Sequence, residues 1–248
     1  MRTQTRDRRK SRGPARARKA EVHYASQLRR VARQVGQFIG MFPPGDAEAL
    51  PTITRMLEHY SDALSDWAVR TATKMLENVN QRDMQGWLEL ASEMSVALKD
   101  EIRGAPTGQL FKSLLDEQVE LIKSLPRDAA KRVHELTIKG LEDSTRAKEI
   151  AKEIARSGEV TASRANLIAR TEVARAASTL TQARAEHIGS TGYIWRTSRD
   201  SDVRHSHKQM EGKFVRWDSP PTLSDGTTTH AGQIYNCRCY PEPVIPEV

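Results

Sequence analysis

The side chains able to do chemistry gather toward the C-terminal end of this chain. They are the stretch Asp200-Ser-Asp-Val-Arg-His-Ser-His207, then Gly212, then Asn236-Cys-Arg-Cys239, with His230 between them. Both cysteines of the protein, Cys237 and Cys239, lie there one residue apart. An i, i+2 pair in extended chain sets its Cα atoms about 6.6 Å apart, near the upper limit for a relaxed disulfide. The spacing therefore predicts reduced thiols on one face of a strand.

Three kinds of chemistry compete for these residues. Cys237 and Cys239 with His207 and His230 make a Cys2His2 donor set of the type that tetrahedral zinc prefers, and such a structural zinc would cross-link a small sheet. Against it, C-x-C is an unusual zinc spacing, the histidines come from separate loops, and Asp200 or His205 are rival ligands. The competing reading packs the cysteines as small hydrophobes. A metal-dependent nuclease or other hydrolase would draw on Asp200, Asp202, His205 and His207, but the spacing matches no known hydrolase pattern and names no general base. The preferred reading is a structural brace with no catalytic residues. In it Asp200 accepts backbone N–H groups in a turn, Arg204 clamps Asp200, Asp202 or a loop carbonyl, and Arg170 and Glu172 pair with the sheet. Such contacts fix geometry even where their net stabilisation is small.

The elements that must position these groups are mostly helical. Apolar residues recur at three- and four-residue steps from Val22 to Phe42 and again from Leu50 through Trp67 to Val79. Further helices are expected over 83–102, 107–124, 128–141, 144–156 and 163–188, with Ser144 capping one of them and breaks at Pro43-Pro44-Gly45, Gly104-Ala-Pro106 and Leu125-Pro126. Tyr193-Ile-Trp-Arg-Thr197 and Lys213-Phe-Val-Arg-Trp217 alternate as strands do. The fold class expected is mostly α: a helical region over 20–125, then a small α+β domain over 126–243 with helices in 128–188 and a short antiparallel sheet in 193–243.

Charge is distributed unevenly. Residues 1–19 hold nine of the chain's 39 basic residues against Asp7 alone of its 32 acidic ones, so the formal net charge of +7 belongs to this segment. With no aromatic residue and little apolar surface, an arm over 1–19 is expected to stay disordered alone. Arg6, Arg8, Arg9, Lys10, Arg12, Arg16, Arg18 and Lys19 are its candidates for salt-sensitive contact with nucleic acid. A mean hydropathy of -0.63 and no apolar run near the roughly 18 residues of a membrane span argue against a membrane protein, and the polar N-terminus argues against a secretory signal.

Several motifs occur together in order: Leu121-Ile-Lys-Ser-Leu-Pro126, Lys139-Gly-Leu141, Ala151-Lys-Glu-Ile154, Ser163-Arg-Ala-Asn-Leu-Ile-Ala-Arg-Thr-Glu172, Trp195, Asp200 to His207, Gly212 and Asn236-Cys-Arg-Cys239. Over roughly 118–243 the chain resembles the phage head morphogenesis family, the Mu protein F-like minor head proteins. The resemblance implies a low-copy, non-enzymatic component of procapsid and virion, made in the host cytoplasm. It would lie in the capsid interior near the portal protein, in contact with major capsid or scaffolding protein and with phage DNA. One departure stands out. Ala231 follows His230 where relatives commonly carry proline, which predicts a slightly less rigid loop.

Overall fold

The computed structural model describes residues 15–44, 46–90, 96–142 and 147–246, and in them helix dominates. The elements are α1 (Ala15–Gly40), α2 (Leu50–Ala63), α3 (Ser65–Leu90), α4 (Val96–Gly104), α5 (Gly108–Glu142), α6 (Ala147–Ala155), α7 (Ser157–His187), β1 (Gly192–Arg196), α8 (His205–Lys208), β2 (Phe214–Arg216) and β3 (Tyr240–Pro243). This is the mostly α fold with a small C-terminal antiparallel sheet that the periodicities predict. Ser144 and the start of the expected arm lie outside the described residues, and α1 begins at Ala15, inside that arm.

The helices do not divide at residue 125. One compact unit holds 21–76 and 111–172, and the other holds 77–110 and 173–248 with the N-terminal segment. Both α3 and α7 contribute residues to each of the two units.

The helical unit, 21–76 with 111–172, is built on apolar stripes. Val35 and Ile39 of α1, Ile53 and Leu57 of α2, Ala130 and Val133 of α5, and Ile150 and Ile154 of α6 form one core. The expected α1 stripe holds at Ala25, Leu28, Val31 and Val35, which are buried, but not at Val22, which is exposed while Tyr24 is buried. A Cβ added at Gly158 of α7 would lie 2.8 Å from Gly36 Cα in α1, so these helices meet backbone to backbone. The break expected at Pro126 is absent, and α5 runs through it. Proline costs a helix a donor and crowds the preceding turn. Beside it the Lys123 carbonyl accepts from Ser61 Oγ at 2.9 Å and from Arg127 Nε at 3.2 Å, and Pro126 itself is buried in the helical unit.

The mixed unit carries the sheet. Its order is β2-β1-β3, antiparallel throughout, with Tyr193 opposite Val215 and Pro243, and Trp195 opposite Pro241. One face of β1 sends Tyr193 and Trp195 into a core with Trp217, Val215, Leu223, Trp87 of α3, Ile102 of α4 and Ala185 of α7. Cys237 and Cys239 belong to the same core. They do not lie on a strand as expected. They occupy the extended loop just before β3, after a left-handed Asn236 (φ 55°).

Candidate functional site

The core of the site is set by β1 and the two segments that follow it. After β1 the chain turns through Asp200 to Val203 and forms the single helical turn α8, which carries His207 inward; His207 is 2% exposed. Gly212 then adopts φ 80°, a conformation glycine reaches at little cost, and its N–H donates to the Trp195 carbonyl at 2.8 Å. That bond seats α8 beside β1. The loop before β3 brings in the cysteines: His207 Nδ1 lies 3.3 Å from Cys239 Sγ and 3.5 Å from Cys237 Sγ. Among the described residues, these three are the histidine, cysteine and carboxylate side chains that gather as a possible ligand group, with donor atoms all within 4.8 Å of one another.

The two thiols are electrostatically unequal. The hydrogen bond from Cys239 holds the Cys237 thiol well below the usual range despite its burial, with the His207 ring adding in the same direction. The same bond, with burial, pushes Cys239 up. The Cys239 backbone N–H also points at Cys237 Sγ, 3.3 Å away. The His207 ring stands perpendicular to Trp195, centroids 5.5 Å apart, and its Nε2 is buried with no hydrogen-bond partner among the described residues. A cavity of about 70 Å³ opens against this group, lined by His207, Cys237 and Cys239 together with Asp202, Arg204 and Arg238.

His230, expected as a ligand, is elsewhere. Its Nδ1 lies 3.2 Å from the Tyr193 hydroxyl, and the ring makes a further hydrogen bond to the Trp217 backbone. Burial lowers its pKa, so the ring is held neutral. The Ala231 N–H donates to the same Tyr193 oxygen at 3.1 Å, a bond that a proline there could not make. The departure expected to loosen the loop adds a tie to it.

The polar braces take one of the expected forms at Asp200, which accepts a backbone N–H, and at Arg204, which takes a loop carbonyl. Arg238 of the Cys-Arg-Cys run, rather than Arg204, holds the acidic turn, donating to Asp200 at 2.8 Å and to Asp202 at 3.2 Å. Asp200 also accepts the Asp202 backbone N–H at 3.1 Å. Arg204 reaches the Tyr235 carbonyl at 3.1 Å and stacks over the Tyr235 ring at 5.2 Å. His205 is exposed and bonds Gln209, so the Asp/His cluster a hydrolase would need does not assemble around His207. In the helical unit Arg170 Nε lies 3.3 Å from Glu21. Glu172 accepts from Gln118 at 2.7 Å, and Tyr24 donates to Gln118 at 3.1 Å. Arg6, Arg8, Arg9, Lys10 and Arg12 lie outside the described residues, as does the side chain of Arg16. Arg18 and Lys19 are exposed on α1.

Sequence reasoning missed Glu211. Its carboxylate accepts the Thr197 backbone N–H at 2.7 Å, the Thr197 hydroxyl at 2.8 Å and Arg199 at 2.7 Å. Burial pushes this carboxyl up, but the bonds from Arg199 and Thr197 outweigh it and hold it below the usual range. Its place just before Gly212 was the available signal. Asp225 does similar work in the next loop, held at about 2 by hydrogen bonds from Ser206 and Thr227.

These residues coincide with a known family. Residues 131–241 match the model described as phage Mu protein F like protein. Residues 131–241 are thus similar to the Mu F-like proteins. This stretch begins in α5, ends in β3 and contains the whole His207, Cys237 and Cys239 group with its braces. A protein of Haemophilus influenzae (strain ATCC 51907 / DSM 11121 / KW20 / Rd) that carries no assigned function is 27% identical over 252 residues, covering 92% of this chain. That alignment takes in 54% of the relative, so this chain spans about half the length of the curated relative it matches. No solved structure matches. No helix among the described residues is long and apolar enough to cross a membrane.

Proposed function

We propose that this chain is a phage head morphogenesis protein. It is a low-copy minor head component built into the procapsid beside the portal, facing the capsid interior, and it carries no catalytic activity. The observation that carries this reading is the family match over residues 131–241, laid on a region whose polar groups are committed to one another. Arg238 with Asp200 and Asp202, and Glu211 with Thr197 and Arg199, hold loops in place and leave no carboxylate and imidazole convergence of the kind that hydrolysis requires. Tyr235, 60% exposed with Arg204 stacked on it, presents the residue types that dominate binding hot spots, and it is the first candidate for docking on portal or coat subunits. The basic segment of residues 1–19 would face packaged DNA by electrostatic contact alone.

Co-purification of the full chain with the portal of its own phage tests the docking. Removing residues 1–19 is expected to abolish DNA retardation while incorporation into heads persists. Heads assembled without the chain that stay complete, full and infectious would overturn the reading.

A further inference from the structure

The two sulfurs facing one ring nitrogen pose a bonding problem. Nδ1 of an imidazole carries either one lone pair or one hydrogen, so it can satisfy one sulfur partner, yet Cys239 and Cys237 both approach it, at 3.3 and 3.5 Å. A cation resolves this, because a metal at the centre of the three atoms bonds all of them at once. The distances are those such a centre needs. With zinc bonds of about 2.3 Å to sulfur and about 2.05 Å to nitrogen at tetrahedral angles, sulfur and nitrogen stand about 3.6 Å apart and the two sulfurs about 3.8 Å. The observed nitrogen to sulfur separations fall within 0.3 Å of that figure, and all three atoms lie within 4.8 Å.

The surroundings agree. The Cys239 backbone N–H directed at Cys237 Sγ is a donor of the kind that steadies a metal-bound thiolate from outside the coordination sphere. All three residues are buried, at 2% for His207, 3% for Cys237 and 5% for Cys239, and the cavity beside them leaves one side of the group open. His230 does not supply the fourth ligand, since its ring is already bonded to Tyr193 and to the Trp217 backbone.

We infer that His207 Nδ1, Cys237 Sγ and Cys239 Sγ form a zinc-class metal site whose fourth position faces the cavity and takes a water molecule. The ion ties α8 to the loop before β3, adding to the Arg204 bond to the Tyr235 carbonyl and the Arg238 bonds to Asp200 and Asp202. The donor set, two thiolates and one imidazole, selects a soft or borderline divalent cation over magnesium or calcium.

Cobalt is the probe. The full chain is purified under reducing conditions, stripped with chelator, confirmed to be folded by circular dichroism, and titrated with Co2+. Expected are a thiolate-to-cobalt charge-transfer band in the near ultraviolet and visible bands of tetrahedral intensity. Both should saturate at about one equivalent and be erased by Zn2+, which should also raise the melting temperature. Cys237→Ser and Cys239→Ser should each lose the charge-transfer intensity, and His230→Gln should keep the full spectrum. A folded, reduced wild-type chain with no charge-transfer band in cobalt excess overturns the site, and that result does not depend on any variant folding. An undiminished band in folded Cys237→Ser, or its loss in folded His230→Gln, overturns the ligand set. None of these outcomes bears on portal docking, so this inference and the proposed function fail separately.

Discussion

The Arg184 and Asp83 pair in the mixed unit offers the sharpest test of how its helices are held. Arg184 of α7 is 1% exposed and Asp83 of α3 is 7% exposed, and the two are joined by a direct ion pair. Thr181 donates to the other Asp83 oxygen, and the second Arg184 amino group donates to Asn80 Oδ1 at 2.6 Å. Asp83→Asn keeps the shape and an acceptor for Thr181 but removes the charge, leaving a guanidinium out of water without a counter-ion. Removing one partner of a buried pair costs about 3–5 kcal/mol. In a chain of this size each kcal/mol moves the midpoint by about 2–4 °C, so a fall of about 6–20 °C is expected in thermal unfolding followed by circular dichroism. Replacing both partners, Asp83→Ala with Arg184→Met, removes the stranded charge and leaves the exchanged hydrogen bonds of Asn80 and Thr181, a loss of about 1–3 kcal/mol. The double variant should therefore melt above Asp83→Asn. A single variant within about 0.5 kcal/mol of wild type, the range of ordinary surface changes, would refute the argument that this pair is dry and essential.

Three other outcomes follow from the same reasoning. Gly158→Ala gains up to about 1 kcal/mol of helix propensity, but its methyl would stand 2.8 Å from Gly36 Cα, and overpacking of that kind costs about 1–3 kcal/mol. A net loss of stability is expected, whereas Gly40→Ala, with open space around it, should be neutral or better; a Gly158→Ala chain that melts at or above wild type would show that α1 and α7 are not in backbone contact. Burial depresses the pKa of His230, which faces Tyr193, Glu186 and the Trp217 backbone. The unfolded chain therefore binds this proton more readily, and His230 contributes stability that is complete above the unfolded value of about 6.5 and is lost as pH falls below it toward the folded value. Melting temperatures from neutral to mildly acid pH should drop less steeply in His230→Gln, and identical slopes would remove His230 as the cause. Tyr235→Ala, at an exposed position, should leave stability within about 0.5 kcal/mol while reducing recovery with the portal; unchanged recovery would move the docking surface elsewhere.

The residue order by itself determined the helical character, the helix ends near Pro43 and Gly104, and the two aromatic strands, because these follow from local periodicity and turn chemistry. It also carried the resemblance to the Mu F-like proteins, since motifs are strings, and the membership of His207, Cys237 and Cys239 in one polar neighbourhood. Tertiary structure decided which groups actually meet. Pro126 sits buried inside α5, where tertiary packing overrides the local break signal. His230 faces Tyr193 while His207 faces the thiols, a choice that spacing along the chain cannot reveal because it carries no direction in space. The choice of Arg238 for Asp200, of the Tyr235 carbonyl for Arg204, and of Glu211 for Thr197 at the end of β1, has the same cause. Hydrogen bonds between loops are chosen by the relative placement of their backbones, and that placement exists only once the sheet and α7 have packed.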